Sequence, residues 1–538
     1  VPSILTLLLA LAVACGGLAC QPLENDPTGY VYMCETSPEA AWVTAGGETV
    51  CGEDDPNLTE PSFPEDVCAV LEARKTEPTE VDLDTGRVQQ ALHDCKGKGA
   101  VKLVADGKYD VFLTAHLEVD SVILWVDEGV TLYASRNAEL YQETGNCGLI
   151  GVSDSSACLD FIQVRGVNPG VVGDGAIHGQ GGEPLVGKDY SWWQMSQALR
   201  STNGSIGNPQ LINLERGTTG FLLYRVKLYD AAKFHVKITA SPADGTCDSP
   251  GEGYTVWGVT IQTPKDLYNS QGVLQTPHDS RNSDGVDPGT TDIATCGVIA
   301  CNTITTGDDQ IAIKGGHLVE DLIIAHNHFG TGHGMSIGSE TYGEIIEADG
   351  TRRRGVNNVH VYDLTIDADS RSVGHDATDA DFNGIRIKSD MSRGGLVDNI
   401  TYEDICMRDQ NFAIVLSTAY NPLFAGDLVP EIGRINFKDV RHVTCMNIKQ
   451  PVVTIEGHSA VRTAGKVTMD NVIIDNIGPP SIFAEYIDLE FGPGDVNFMP
   501  RGTGVTVTDN RSGDSRLKRC VFPKLPAPEH PDDWYVGE

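Results

Sequence analysis

The sequence is short of charge, and the charge it carries is one-sided. Charged residues make up 21% of the 538, with 39 Lys and Arg against 75 Asp and Glu, a formal net charge of −36. The basic footprint that nucleic-acid binding needs is missing, which excludes that class of partner. The same field repels anionic ligands, so an acidic ligand would have to be held by a local basic pair. Long apolar runs are also missing apart from Ile4–Val13, which is too short to span a bilayer. No CxxC pair or Cys/His spacing suggests zinc. Beyond about Val101 no long amphipathic helix interrupts the chain, which argues against a doubly wound or barrel α/β fold. The two-to-five-residue hairpin turns of an antiparallel sandwich, the rival all-β fold, are not the usual connections here.

What is present begins with an export signal. Ile4–Val13 has the length of a signal-peptide core, and small residues and Cys follow it. Ala14-Cys15 and Ala19-Cys20 resemble lipoprotein cleavage sites, although neither has Leu three residues before the Cys. Residues 1–20 are therefore read as a signal peptide, with a lipid anchor on Cys15 or Cys20 as one variant. The expected location is secreted or extracellular, or an outer-membrane lipoprotein. Residues 21–64 are polar, contain Cys, and read as a linker or cap; residues 65–538 read as one catalytic domain. Of 14 Cys, the two near the signal leave an even number for an exported chain, so disulfides are the default. Close spacing nominates Cys34/Cys51, Cys68/Cys95, Cys147/Cys158 and Cys296/Cys301, although spacing does not fix connectivity.

Hydrophobic residues at 40% suffice for a large core, and 59 Gly suit a turn-rich β chain. Val88, Ala91 and Leu92 share one face of a short helix that would plug the end of a solenoid. From Val101 onward, short β-type runs recur between Gly, Asn and Asp turns, as in 121–135, 170–181, 358–366, 399–407 and 471–477. Ile313 and Ile337 lie 24 residues apart in similar strands, and Ile387 lies 50 further on, near two such periods. A repeat of about 24 residues with uneven turns fits a right-handed single-stranded parallel β-helix with a short N-terminal capping helix.

That period gathers chemistry. It places Asp284 beside Asp308 and Asp309 beside His333, with strands about 4.8 Å apart. Stacked carboxylates raise at least one pKa, and a protonated carboxyl beside an ionised one is what glycosidic cleavage requires. Turn-forming Asp is the bland explanation. Calcium is the competing ligand, with His333 counting against it because Ca²⁺ prefers oxygen. Arg386 and Lys388 are two apart on a strand and so share a face, Ile385 and Ile387 taking the other. They supply the basic pair that an acidic ligand needs, where a solvated strand face would be the plainer reading.

Asn282-Ser283-Asp284, Gly307-Asp308-Asp309, Gly332-His333-Gly334 and Arg386-Ile387-Lys388 stand in the order of the four motifs of the polygalacturonases, glycoside hydrolase family 28. With GDGAIHGQG and Trp192-Trp193 upstream, the chain resembles that family over roughly residues 80–520. The resemblance implies an inverting hydrolysis of α-1,4-galacturonosidic bonds in polygalacturonate or pectin, with no cofactor and no metal. It implies Asp308 as general acid, Asp284 and Asp309 as activators of water, and His333 as a tuner of the acid. Arg386, Lys388 and Tyr420 would contact substrate, and Asn282 would orient the site or touch sugar. Ser283 replaces the usual Thr, and Gln310 stands where many relatives have a disulfide Cys. The long segment from His333 to Arg386 carries Arg352-Arg353-Arg354 and an Asp-rich stretch at 376–381. These read as rim loops which, with the 338–343 segment resembling exo-acting members, would favour chain-end attack; a solvated insertion explains them equally.

Rival functions are a hydrolase of substituted or rhamnose-containing pectin, a Ca²⁺-dependent pectate lyase, and a non-catalytic pectin-binding β-helix. A monomer is expected, and endo against exo action stays open.

Overall fold

In the computed structural model the described residues are 36–37 and 51–523, apart from 53, 143–146, 148–157, 201–206, 265–266, 291, 342–343, 347–351, 369–381, 421–425, 427, 429, 446–449, 460–463 and 514–519. Eleven short strands form one sheet in strict chain order. They are β1 (Leu117–Asp120), β2 (Ile162–Arg165), β3 (Ile212–Leu214), β4 (Val236–Ile238), β5 (Val286–Pro288) and β6 (Ile311–Ile313), then β7 (Met335–Gly338), β8 (Asn383–Lys388), β9 (Phe412–Ser417), β10 (Val452–Glu456) and β11 (Ile482–Glu485). Each pairs in parallel with the next. Between them the chain crosses a second set of parallel strands, the longest being Val319–Phe329, Val356–Asp367 and Leu396–Arg408. Sequential, all-parallel pairing, with Trp192–Arg200 the one α-helix in these connections among the described residues, is the winding of a right-handed parallel β-helix, as the repeat predicts.

Alternation on these strands decides what faces where. Ile162, Ile212, Val236, Val286, Ile311, Met335, Ile385 and Ile414 stack rung on rung and are buried. Stacked apolar rows of this kind close the core. The residue after each points to the opposite face, which gives an outer column running Gln163, Asn213, Lys237, Asp287, Ala312, Ser336, Arg386.

The register corrects two spacings. Ile337 pairs directly with Ile387, so those 50 residues are one coil and not two. The extra length includes an antiparallel pair, Glu344–Ile346 with Arg352–Arg354. The Asp-rich 376–381 lies outside the described residues. Val286 pairs with Ile311, a step of 25, so Asp284 stands level with Asp309 and not with Asp308.

Two segments before the first coil pack against the solenoid. Helix α1 (Thr85–Asp94) buries Val88 and Leu92, and its Gln89 exchanges hydrogen bonds with the Glu118 backbone at 2.8 and 3.1 Å. It thereby covers β1, the end strand of the sheet, whose open edge would otherwise face water. Residues 51–64 lie as a strap over the outer face of the other strands. Phe63 stacks on Trp125 at 5.0 Å, and Tyr224 Oη donates to Glu60 at 2.8 Å. Asp55 accepts from Tyr362 Oη at 2.6 Å and meets His326 Nε2 at 3.1 Å. Residues 1–20 are outside the described residues.

Cys68–Cys95 and Cys147–Cys158 pair as their spacing suggests. The other two nominated pairs are wrong. Cys51 joins Cys301 across 250 residues, and Cys296 joins Cys247. Strands distant in sequence are adjacent on the solenoid surface, so spatial neighbours outcompete sequence neighbours. Cys406–Cys520 pins the C-terminal segment in the same way. Replacing Cys51 and Cys301 together by Ser is expected to lower unfolding stability by about 2–4 kcal/mol. Limited proteolysis should then cut first within 51–64; unchanged stability and unchanged resistance would show that the strap's noncovalent contacts suffice.

Candidate active site

Asp284 sits in the turn that leads into β5, Asp308 and Asp309 in the turn into β6 and His333 in the turn into β7, each two or three residues before its strand. Asn282 takes a left-handed backbone, φ 63°, which Asn tolerates better than most residues, and its N–H donates to Asp308 Oδ2 at 3.0 Å. Gly334 has φ +79°, and a Cβ there would lie 2.0 Å from Gly384 O, so the second Gly of the Gly-His-Gly motif is a steric necessity. The turn it allows brings His333 Nδ1 to 2.9 Å from Asp308 Oδ1. Gln310, buried, donates to Gly330 O at 2.7 Å and accepts from Gly334 N. It ties down the His333 turn by hydrogen bonds where many relatives carry a Cys.

The three carboxylates have different environments. Asp309 is fully buried and accepts from Ser336 Oγ at 2.8 Å, from Lys388 Nζ at 2.8 Å and from Arg386 Nη2. Burial would raise its pKa, but Lys388 and Arg386 outweigh that and hold it ionised well below the usual range. Asp284 is as deeply buried, with Lys314 Nζ at 3.3 Å its one ion-pair partner among the described residues. Burial, reinforced by Asp308 and Asp309 and opposed by Lys314, pushes it up to about 7. Asp308 is the carboxylate of the three open to the groove, its side chain 15% exposed against 2% and 1% for Asp284 and Asp309. Burial would raise it too, but the His333 imidazolium and Lys388 hold it well below the usual range. The free site therefore keeps its proton on the Asp284 side while Asp308 is ionised, the reverse of the order the family resemblance implies.

The structure thus brings Asp284, Asp308, Asp309, His333, Arg386, Lys388 and the Asn282 backbone into one cluster. Arg386 and Lys388 share a face as their spacing predicts, and both are engaged with Asp309 in this state. Tyr420 stands at the rim, exposed, with Lys388 Nζ 5.3 Å from its ring centroid. Asp308, Asp309 and His333 bring potential metal-ligand atoms within 4.8 Å of one another. Two cations already on Asp309 and an imidazole on Asp308 suit an ionised acid–base pair better than Ca²⁺.

Several participants have no counterpart in the sequence reading. Lys314, buried at the end of β6, lies 3.3 Å from Asp284, 3.9 Å from Asp287 and 3.7 Å from Glu340. Burial would lower its pKa, but those acids hold it well above the usual range. Asp287 is fully buried with neither carboxylate oxygen hydrogen-bonded, and burial pushes it well up. Glu340 pairs with Arg393 and Lys314, which outweigh its burial and bring it down to about 2. His235, kept neutral by burial at about 4, receives Ala231 N on Nε2 and donates from Nδ1 to Asp284 O at 3.1 Å. The one available signal was periodicity: Lys314 and Lys388 end strands that both register with β7.

Residues 112–491 match the family model described as Glycosyl hydrolases family 28. A polygalacturonase of Ralstonia nicotianae is 35% identical over 462 residues, which span 79% of this chain and 81% of that protein. An endo-polygalacturonase of Pectobacterium carotovorum subsp. carotovorum is 35% identical over 425 residues, 78% of this chain and 89% of its own. Among solved structures, a polygalacturonase from Erwinia carotovora ssp. carotovora superposes with a TM-score of 0.58 at 28% identity, covering 86% of this chain and all of that one. A family 28 exopolygalacturonase from Yersinia enterocolitica shares the fold at 17% identity and a TM-score of 0.54, covering 85% and 78% of the two chains.

Proposed function

The chain belongs to glycosyl hydrolases family 28, and we propose that it hydrolyses the α-1,4-galacturonosidic bonds of polygalacturonate with inversion, using the Asp284, Asp308 and Asp309 cluster. The observation that carries this reading is the split among three neighbouring carboxyls, one held protonated by burial and two held ionised by His333, Arg386 and Lys388. Asp308, the member open to the groove and hydrogen-bonded by His333, protonates the leaving glycosidic oxygen. Asp284 and Asp309 take the proton of the water that attacks the anomeric carbon from the other side. Lys314 favours the ionised state of Asp284 that this step needs. Arg386 and Lys388 offer their remaining donors to a substrate carboxylate beside Tyr420. Export is part of the proposal, since five disulfides among the described residues suit an oxidising compartment.

A time course on polygalacturonate tests it. New reducing ends should appear without the absorbance of unsaturated ends that a lyase makes, and the ratio of monomer to oligomer separates exo from endo action. Activity against pH should be bell-shaped and centred on the acid side. It should fall at alkaline pH, where the cluster no longer keeps a proton for the leaving oxygen. A flat profile through neutral and alkaline pH would contradict the acid–base assignment.

A further inference from the structure

The coil before Asp284 carries side chains that this chemistry does not use. Leu211 N donates to Phe234 O, and His235 N donates to Asp284 O, so the turn into β4 lies between those into β3 and β5. Phe234 is the rung neighbour of Asp284. Its partly exposed ring has Lys233 Nζ at 5.3 Å and Lys314 Nζ at 5.6 Å from the centroid. Three residues on, Lys237 pairs in register with Asn213 on one side and Asp287 on the other. It is partly exposed on the outer column, and among the described residues its ammonium makes no ion pair. Burial holds Lys237 below the usual lysine range, Asp160 and Asp287 only partly offsetting it.

A partly exposed ammonium with no ion pair among the described residues, and a partly exposed aromatic ring in the turn before it, match two parts of one uronate unit. Its carboxylate suits the ammonium and its C–H face the ring. We propose that Lys237, with Phe234 in the turn before it, forms a further uronate-binding subsite one coil before Asp284. The inference rests on the polygalacturonate reading above. Lys237 and Arg386 stand four rungs apart in one column, about 19 Å at about 4.8 Å per rung. Cations therefore stand on both sides of an acid cluster whose own field repels the substrate, and a polyanion gripped at both ends lies across it.

The test is steady-state kinetics of the full chain carrying Lys237→Met, Lys237→Arg or Phe234→Leu. The substrates are polygalacturonate and the same polymer at rising methyl esterification. Lys237→Met should raise KM about tenfold with kcat within about twofold, and should flatten the dependence of KM on esterification. Lys237→Arg should keep most of both, and Phe234→Leu should raise KM without altering the ester dependence. A folded Lys237→Met with unchanged KM and unchanged ester dependence overturns the subsite. So does a loss confined to kcat, which would assign Lys237 to propping Asp287. If Lys237→Met does not fold, a Lys237→Arg enzyme that loses the ester dependence, or a Phe234→Leu enzyme with unchanged KM, overturns it as well. If the wild type releases no reducing ends, the hydrolase reading fails first, and calorimetric binding of galacturonate oligomers to wild type and Lys237→Met still decides the subsite.

Discussion

Asp308→Asn is expected to lower kcat on polygalacturonate by about 10³-fold or more while leaving the protein folded. Positioned acid–base groups contribute about 10²–10⁴ in rate, and an amide has no proton to give a leaving oxygen. The fold should tolerate the change because an Asn oxygen can still accept the Asn282 N–H, and because the side chain lies at the groove and not in the core. The residual activity carries a diagnostic. The Asp308 charge is one of the effects holding Asp284 up near 7, so its removal should move the limb of the pH profile that Asp284 sets to lower pH. A residue that only shaped the turn would lower activity without moving that limb. Reducing-end assays across pH, with a denaturation curve in parallel, read all three effects. Wild-type kcat in Asp308→Asn would remove Asp308 from the chemistry.

Lys314→Met should be the most damaging single change to stability at this site. Lys314 is buried and is the one cation within ion-pair distance of Asp284 and Asp287 among the described residues, while Glu340 also has Arg393. Stripping a buried charge cluster of its counter-ion costs about 3–5 kcal/mol. The cost depends on pH with a definite sign. Asp284 and Asp287 have folded pKa values raised above the unfolded value, so between about pH 4 and 7 the folded state keeps protons that the unfolded chain has released. Stability from these groups therefore falls as pH rises through that window, and losing Lys314 steepens the fall. The variant should be close to wild type near pH 5 and much weaker near pH 8 in urea denaturation. Equal deficits at the two pH values would mean that packing of the lysine stem, and not its charge, is what the site loses.

The legible part of this protein is whatever a local pattern encodes. Alternating apolar residues between Gly, Asn and Asp turns announced the parallel strands, because side chains on a strand face opposite ways and a half-buried strand must alternate. The short apolar face at Val88 and Leu92 announced the helix over the end of the sheet. The 24-residue step from Asp309 to His333 needed no coordinates either, since it equals the register step from Ile311 to Met335. Period counting failed where coils differ in length. The step from Val286 to Ile311 is one residue longer, and the coil from Ile337 to Ile387 absorbs a hairpin.

By itself, the sequence determined the winding of the chain, the clustering of Asp284, Asp308, Asp309 and His333, and the shared face of Arg386 and Lys388. Each follows from a periodicity of two or of one coil. Only the tertiary structure decided which carboxyl keeps a proton, because that depends on burial and on charges brought from other rungs, as Lys314 is brought to Asp284. It alone decided that Cys51 meets Cys301, because the strap crosses strands hundreds of residues away in sequence. And it alone set Phe234 and Lys237 beside the acid cluster, because the coil from Val236 to Val286 spans 50 residues and no constant period connects them.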